Sequence, residues 1–454
     1  MKPPKSKMAE LAPNASGGEK SHAETAESAE FKMTELGPIP VDWEVKRLGE
    51  ILTFKNGYNA SANCYGSGMP VASVLDALST RPITRQSIDT KVNAPCKDQD
   101  SFSLKSGDLI FTRSSETLED VGRSNVYLDS DNAMFGGFVI RGRPSAVIDS
   151  LFVNYMLNTS SCRIRVMSHG AGAQHFNIGQ SGLEKVLIPL PPLAEQRRIA
   201  GALSDVDELI SALGKLIEKK RNIKTGTMQE LLGMRNEECG MRNVPRRRLA
   251  GFSGAWVEKR LGDCGSFSKG AGISRAQANS GRIPAVRYGE LYTTHHEYIK
   301  VFESFISEDV ARCSTRLTRG DIVFACSGET KEEIGKCAAF LGDEVAYAGG
   351  DLLILSPKAA YDSKFLAFEL NTPFCASQKA AAGQGDAVVH IRQHSLEELI
   401  VCIPPTLTEQ KAIAAVLSDM DAEIAALEAD RAKYERIKSG MMQELLTGKT
   451  RLKP

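Results

Sequence analysis

The chain has no excess of either charge: 56 Lys and Arg balance 56 Asp and Glu, a formal net charge of +0. A simple nucleic-acid binder is basic overall, so contact with a polyanion would have to rest on local patches or on a partner's charge. The ten cysteines form no C-x-x-C pair, and Cys313, Cys326 and Cys337 are too far apart for the close half of a zinc motif. Scattered thiols fit a reducing, cytoplasmic setting. No apolar run reaches membrane-span length, and the N-terminus has no apolar signal core. Residues 1–33, rich in Pro, Ser, Glu, Lys and Ala, are expected to be a disordered tail. The G-x-x-x-x-G-K-[ST] phosphate loop is missing, which argues against ATP hydrolysis. The Gly-rich pieces at Gly170-Ala171-Gly172 and Gly383-Gln384-Gly385 follow no clear strand in a βαβ setting, so a dinucleotide site is weakly supported. His295-His296 is the only histidine pair and reads as an exposed loop without a metal-binding constellation. Ser114 and Ser327 have no histidine at a repeated position near them to act as a base. These absences argue against an enzyme and for a recognition protein.

What is present is a duplication. The Trp43–Gly49 stretch matches Trp256–Gly262, and Gly107-Asp108-Leu109-Ile110-Phe111 matches Gly320-Asp321-Ile322-Val323-Phe324. Gly136-Gly137 matches Gly349-Gly350, all at a constant offset of 213, the separation of Gly107 from Gly320. From Glu195 the offset becomes 214, and Glu195-Gln196 matches Glu409-Gln410. Similarity is highest after the Pro-Pro pairs at Pro191 and Pro404 and low between the anchors in the globular halves. Drift alone would give this if packed helices vary less than loops. The sharper reading is two helices serving one kind of partner and two domains recognising different things.

Proline ends the preceding strand and a helix can begin just after it. Ile199, Leu203, Val206, Ile210, Leu213 and Ile217 form an apolar seam, broken at Lys220 and Lys224 and resumed at Leu231. Ile413, Leu417, Met420, Ile424 and Leu427 repeat it, with Tyr434, Met441 and Leu445 continuing past breaks at Arg431 and Lys438. Such helices need a partner, and each is the other's only counterpart. An antiparallel coiled coil with pseudo-two-fold symmetry, separating two α/β domains with mixed sheets, is therefore expected. The expected boundaries are a first domain at 34–190, a long helix at 191–237, a basic linker at 238–250, a second domain at 251–403 and a second long helix at 404–454.

Base edges are read by Arg, Lys, Asn and Gln, with Ser and Thr assisting. The loop after the first Gly-Asp strand offers Arg113, Ser114, Ser115, Thr117 and Arg123; its counterpart offers Ser327, Thr330, Lys331 and Lys336. Gln174, His175 and Asn177 face Gln384, His390 and Arg392 by alignment, and Arg287-Tyr288 adds a further pair. Each of these could instead cap a turn. The runs Arg246-Arg247-Arg248 and Lys259-Arg260 could touch phosphate or be solvated.

The order strand, Pro-Pro, Glu-Gln, x-x-Ile-Ala, x-x-Leu-Ser-x-x-Asp, written twice, resembles the specificity subunits of type I restriction-modification enzymes. Pro284–Leu291 and Gly320-Asp321-Ile322-Val323 resemble further segments of that family, and the resemblance spans residues 38–452. It implies two target-recognition domains, each reading half of a split duplex DNA target, and helices that set the spacer. It also implies docking of two methyltransferase subunits, for which Glu195, Gln196, Asp205, Glu409, Gln410 and Asp419 are the candidate contacts. S-adenosylmethionine, ATP and Mg2+ would belong to partner subunits, including restriction and translocase chains, with no cofactor and no metal in this chain. Arg113 faces Cys326, and Arg287 faces Ser73, so no single arginine contact is common to both halves. On residues alone a second class stays open, a coiled-coil scaffold whose domains bind proteins or glycans.

Overall fold

The computed structural model describes residues 30–172, 174–233, 245–385 and 388–452. The expected tail up to residue 29 and most of the expected basic linker lie outside them. One boundary is corrected: Phe31–Thr34 is a strand paired antiparallel with Gly37–Pro40, so residues 31–33 belong to the fold and not to the tail. The chain divides into two compact units, Met1–Leu209 with Tyr434–Pro454, and Ile210–Lys433. Each long helix is thus shared between the units, where the sequence suggested domain and helix as successive blocks.

In the first unit the centre is a four-stranded antiparallel sheet ordered Leu52–Asn56, Val139–Pro144, Leu109–Thr112, Ser124–Val126. All four residues of Leu109–Thr112 are buried. The turn before it needs Gly107, whose φ of +89° is the left-handed region. Asp108 then closes the turn, accepting from the Lys105 amide at 2.8 Å and from the Arg143 guanidinium at 2.8 and 2.7 Å. A smaller sheet joins Met134–Phe135, Tyr65–Ala72 and Lys91–Val92. The helices Ser150–Leu157 and Ser160–Met167 are capped by Asp149 and Thr159.

The second unit repeats these elements 213 positions on. Gly265–Lys269, Leu352–Pro357, Ile322–Ala325 and Cys337–Phe340 form the same sheet, with Tyr298–Ile299 as a fifth strand. Gly320 has φ +98°, and Asp321 accepts from the Thr318 amide at 2.7 Å and from Ser356, the counterpart of Arg143, at 2.6 Å. Asp362 and Thr372 cap Ser363–Leu370 and Pro373–Ala382. The second sheet is larger here, with strands Ser304–Ile306, Ile283–Val286, Ala346–Ala348 and Thr315–Leu317. The tandem α/β expectation holds.

The long helices are Leu193–Leu232 and Leu407–Leu445. Within the first unit Glu195 meets Arg451 and Asp207 meets Lys438, so numbers fall along one helix as they rise along the other. Within the second, Lys224 meets Asp421 and Arg221 meets Glu428 with the same reversal. The pairing is antiparallel, as expected. Two of the lysines that interrupt the apolar seams are thereby explained. Lys438 lies 2.6 Å from Asp207 and 5.5 Å from the Tyr155 ring; Lys224 lies 2.7 Å from Asp421 and 5.3 Å from the Phe368 ring. One contact set is used twice. A half-buried ion pair inside an apolar seam fixes register, since any slip would leave a charge unpaired.

Candidate functional site

The repeated Glu-Gln pair comes first, because it was expected at a partner interface. Glu195, Gln196, Glu409 and Gln410 are all buried, at 1–2% exposure. Glu195 accepts from the Trp43 indole at 3.1 Å and from Arg451 at 2.7 Å through both oxygens. Glu409 accepts from the Trp256 indole at 3.2 Å and from Arg248 at 2.8 and 2.6 Å. Gln196 and Gln410 each accept a backbone amide at 2.9 Å, from Asp149 and Asp362, the residues that cap the next helix. Their amide groups donate back to Pro191 and Pro404 carbonyls. The docking assignment is corrected for these four: their polar atoms are occupied within the chain, and they weld each helix start to its domain. Asp205 and Asp419 are exposed. Arg248, once a phosphate candidate, belongs to the same weld. The Glu195 carboxylate, with Asp42 adding to it, holds Arg451 above its ordinary range.

The two polar clusters expected in each domain are brought together by one short ladder. Ser114–Ser115 pairs antiparallel with Phe176–Asn177, and the Ser114 hydroxyl bonds the Asn177 side chain. In the second domain Ser327–Gly328 pairs with Val389–His390, with Ser327 Oγ 3.0 Å from His390 Nδ1. Gln384 joins His390 through two backbone bonds of 2.9 and 2.8 Å. Gln174 is exposed beside the first ladder, and Arg392 beside the second, at the start of Gln393–Glu397. Ser115, Thr117 and Arg123 are partly spent on the loop itself. Ser115 Oγ accepts the Thr117 amide at 3.2 Å, and Asp120 takes both the Thr117 hydroxyl at 3.0 Å and Arg123 at 3.4 Å. Thr330 and Lys331 are exposed and Lys336 is half-buried.

Next to each ladder lies the Gly-Gly turn. The Arg113 amide donates to the Phe138 carbonyl at 2.9 Å and its guanidinium to Gly137 at 3.5 Å. The Cys326 amide donates to the Asp351 carbonyl at 3.0 Å in the same way. Burial pushes the Cys326 thiol up to about 12, so a neutral group stands where the first domain has a cation. A guanidinium returns in the second domain as Arg287, whose amide donates to Glu290 at 3.3 Å; Tyr288 follows, exposed. The Tyr292 hydroxyl donates to the Ser327 carbonyl at 3.0 Å and ties this segment to the ladder.

Several supports lie outside the expected sites. Gly57 and Gly270 pass so close to Gly136 and Gly349 that an added Cβ would lie 1.9 Å from a carbonyl oxygen in both domains; their repeat at the same offset was the available signal. Trp43 and Trp256 were visible as repeats but not as partners of the glutamates. Arg248 and Arg451 each precede a leucine beyond a Met-Gln-Glu-Leu-Leu helix end, but at different distances from it, so the constant offset does not link them. The expected exposure of His295 is corrected: it is 1% exposed, with Nε2 3.7 Å from buried Glu290. Among the described residues no His, Cys, Asp and Glu group could hold a metal ion, and no helix is long and apolar enough to cross a membrane.

Two welded helix starts, and two polar ladders on one repeated scaffold, define a duplicated recognition protein. The family described as type I restriction modification DNA specificity domain matches residues 40–222 and 254–438, and the chain belongs to it. It is 27% identical over 436 residues to the protein named as the MjaX type I restriction enzyme specificity subunit of Methanocaldococcus jannaschii, covering 93% of this chain and 97% of that one. The EcoKI specificity subunit of Escherichia coli is 25% identical over 246 residues, covering 53% and 51%. The crystal structure of a type I restriction-modification S subunit from M. genitalium shares the fold, with TM-score 0.57, 14% identity and coverage of 92% and 98%. The chain is therefore a target-recognition subunit of the type I system and not its catalyst.

Proposed function

We propose that the first domain reads one half of a split duplex DNA target and the second domain the other half. The carrying observation is that one scaffold, equal down to the Arg113–Phe138 and Cys326–Asp351 backbone bonds, keeps Ser114 and Ser327 alike and presents different side chains around them, Arg113 against Cys326 and Asn177 against His390. In the first domain the readers are Arg113, Ser114 and Asn177 with Gln174, with Ser115, Thr117 and Arg123 shaping their loop. In the second they are Arg287, Tyr288, Ser327, Gln384 and Arg392, with Thr330, Lys331 and Lys336 on phosphate. Two methyltransferase chains dock along the long helices around exposed Asp205 and Asp419. Those partners bring S-adenosylmethionine, and restriction subunits bring ATP and Mg2+, in the cytoplasm. The helices set the spacer.

The test is methylation-site sequencing of the chain reconstituted with its methyltransferase partner. Exchange of residues 36–188 for the matching segment of a relative should change one half-site and leave the other. A heptad inserted after Ile217 and another after Arg431 lengthens each helix by about 10.5 Å, so the spacer should grow by roughly three base pairs. A change in both half-sites, or a spacer that stays put at full activity, overturns the respective limb.

A further inference from the structure

The residue after each Gly-Gly pair is held identically and differs completely. Phe138 and Asp351 are equivalent by offset and by the backbone bond each accepts, from Arg113 at 2.9 Å and from Cys326 at 3.0 Å. The turn beneath is rigid for a packing reason, the close approach of Gly57 to Gly136 and of Gly270 to Gly349. At its tip the first domain exposes 70% of a phenylalanine. Leu75, 80% exposed, and Tyr65, 45% exposed, join Phe138 around a shallow cavity of about 250 Å³ floored by Gly136, Gly137 and Val71. Single exposed apolar residues are ordinary, but a contiguous patch marks an interaction site. This patch shares its turn with Arg113. In the second domain Asp351 is exposed at the tip. The position of Leu75 is there occupied by Gly289, since Asp76 and Glu290 cap the matching turns through the Ser73 and Arg287 amides.

We propose that this tip is the specificity-determining position of each domain: Phe138 with Leu75 takes the 5-methyl group of a thymine in the first half-site, and Asp351 accepts an exocyclic amino group in the second. The proposal rests on the reading of the chain as a two-domain DNA reader. In the major groove the thymine methyl is the one apolar group that a base offers, while cytosine N4 and adenine N6 are the donors that a carboxylate can accept. Phosphate contact is disfavoured at both tips, since one is apolar and the other anionic. The Arg113 guanidinium beside the first tip supplies the attraction to the duplex that an aromatic side chain lacks.

The reconstituted complex is titrated with duplexes of its own target in which deoxyuridine replaces thymine at one position at a time, removing only the methyl. One position in the first half-site should lose about fourfold in affinity, the worth of one buried methyl group. Phe138→Ala should bind thymine and uracil alike at that position, and Phe138→Leu should keep the preference. Asp351→Asn should shift the base accepted at one position of the second half-site and leave the first unchanged. Indifference of the wild type to uracil throughout the first half-site, or a preference that survives Phe138→Ala, overturns the proposal. A complex that recognises no split target would instead overturn the two-domain reading itself. Since Phe138 and Asp351 are both exposed, melting temperatures should match wild type and separate misfolding from misreading.

Discussion

On the helix behind the central sheet the first domain buries Met156 and the second, at the same position, buries Glu369. One oxygen of Glu369 accepts the Cys402 amide at 3.1 Å and the other has no hydrogen-bond partner. Burial pushes this carboxyl up to about 8, so it is neutral at neutral pH. On the next helix Val166 of the first domain is matched by Lys379, 2% exposed and donating to the Gly335 carbonyl at 2.9 Å. The two domains keep one backbone and fill it differently, one with hydrocarbon and one with groups that must be kept uncharged or bonded. The scaffold is therefore specified by its turns, caps and welds rather than by one set of core side chains, which is also what frees its tips to diverge.

The largest effect should come from removing the weld. Glu195→Ala leaves Arg451 and the Trp43 indole without their shared acceptor and should destabilise the first unit by about 3–5 kcal/mol. Glu409→Ala should do the same to the second. Hydrogen exchange resolved by segment reads which unit opens; equal loosening of both units by either variant would show that the welds do not act locally. Next is Glu369→Met, which copies the first domain. The neutral carboxyl contributes its full stability below the unfolded value of 4.5, and that contribution is lost as pH rises from there to about 8. The gain from methionine should therefore grow through that window and level off above it, reaching on the order of 2–4 kcal/mol. Thermal melts from pH 5 to 9 check it, and a gain that does not vary with pH would mean that the carboxyl is not neutral in the fold. The smallest effect on stability belongs to the ladders. Asn177→Ala should cost less than about 0.5 kcal/mol in folding while weakening DNA binding by about fivefold or more, a loss typical of one misread base pair. Mapped methylation sites should relax in the first half-site alone, and relaxation in the second would break the division of labour.

The duplication, the strands after Gly107 and Gly320 and the antiparallel seams were legible because each is a local pattern written twice. The reading clusters were legible as residues but not as one site, because the ladder that joins Ser114 to Asn177 spans 63 positions. The Glu-Gln pair was misread for a physical reason. A polar pair at a helix start looks exposed in sequence, and only the distant Arg451 and Arg248 make burial of its carboxylate tolerable. His295 misled in the same sense, since a paired histidine in a polar stretch gives no sign that one ring turns inward.

The weld has a consequence for synthesis. Leu445, Leu446 and Leu452 pack into the core that holds Trp43, and Arg451 completes the acceptor of its indole. Translation delivers Trp43 and Glu195 early and residues 434–452 late. At about 5–20 residues per second the ribosome needs roughly 10–50 s to cover the interval. During that wait the first domain holds an unfinished core and a buried carboxylate without its cation, while the second domain acquires its borrowed helix before its own strands emerge. The domain made first is finished last, and it is the nascent first domain that a chaperone would have to shield.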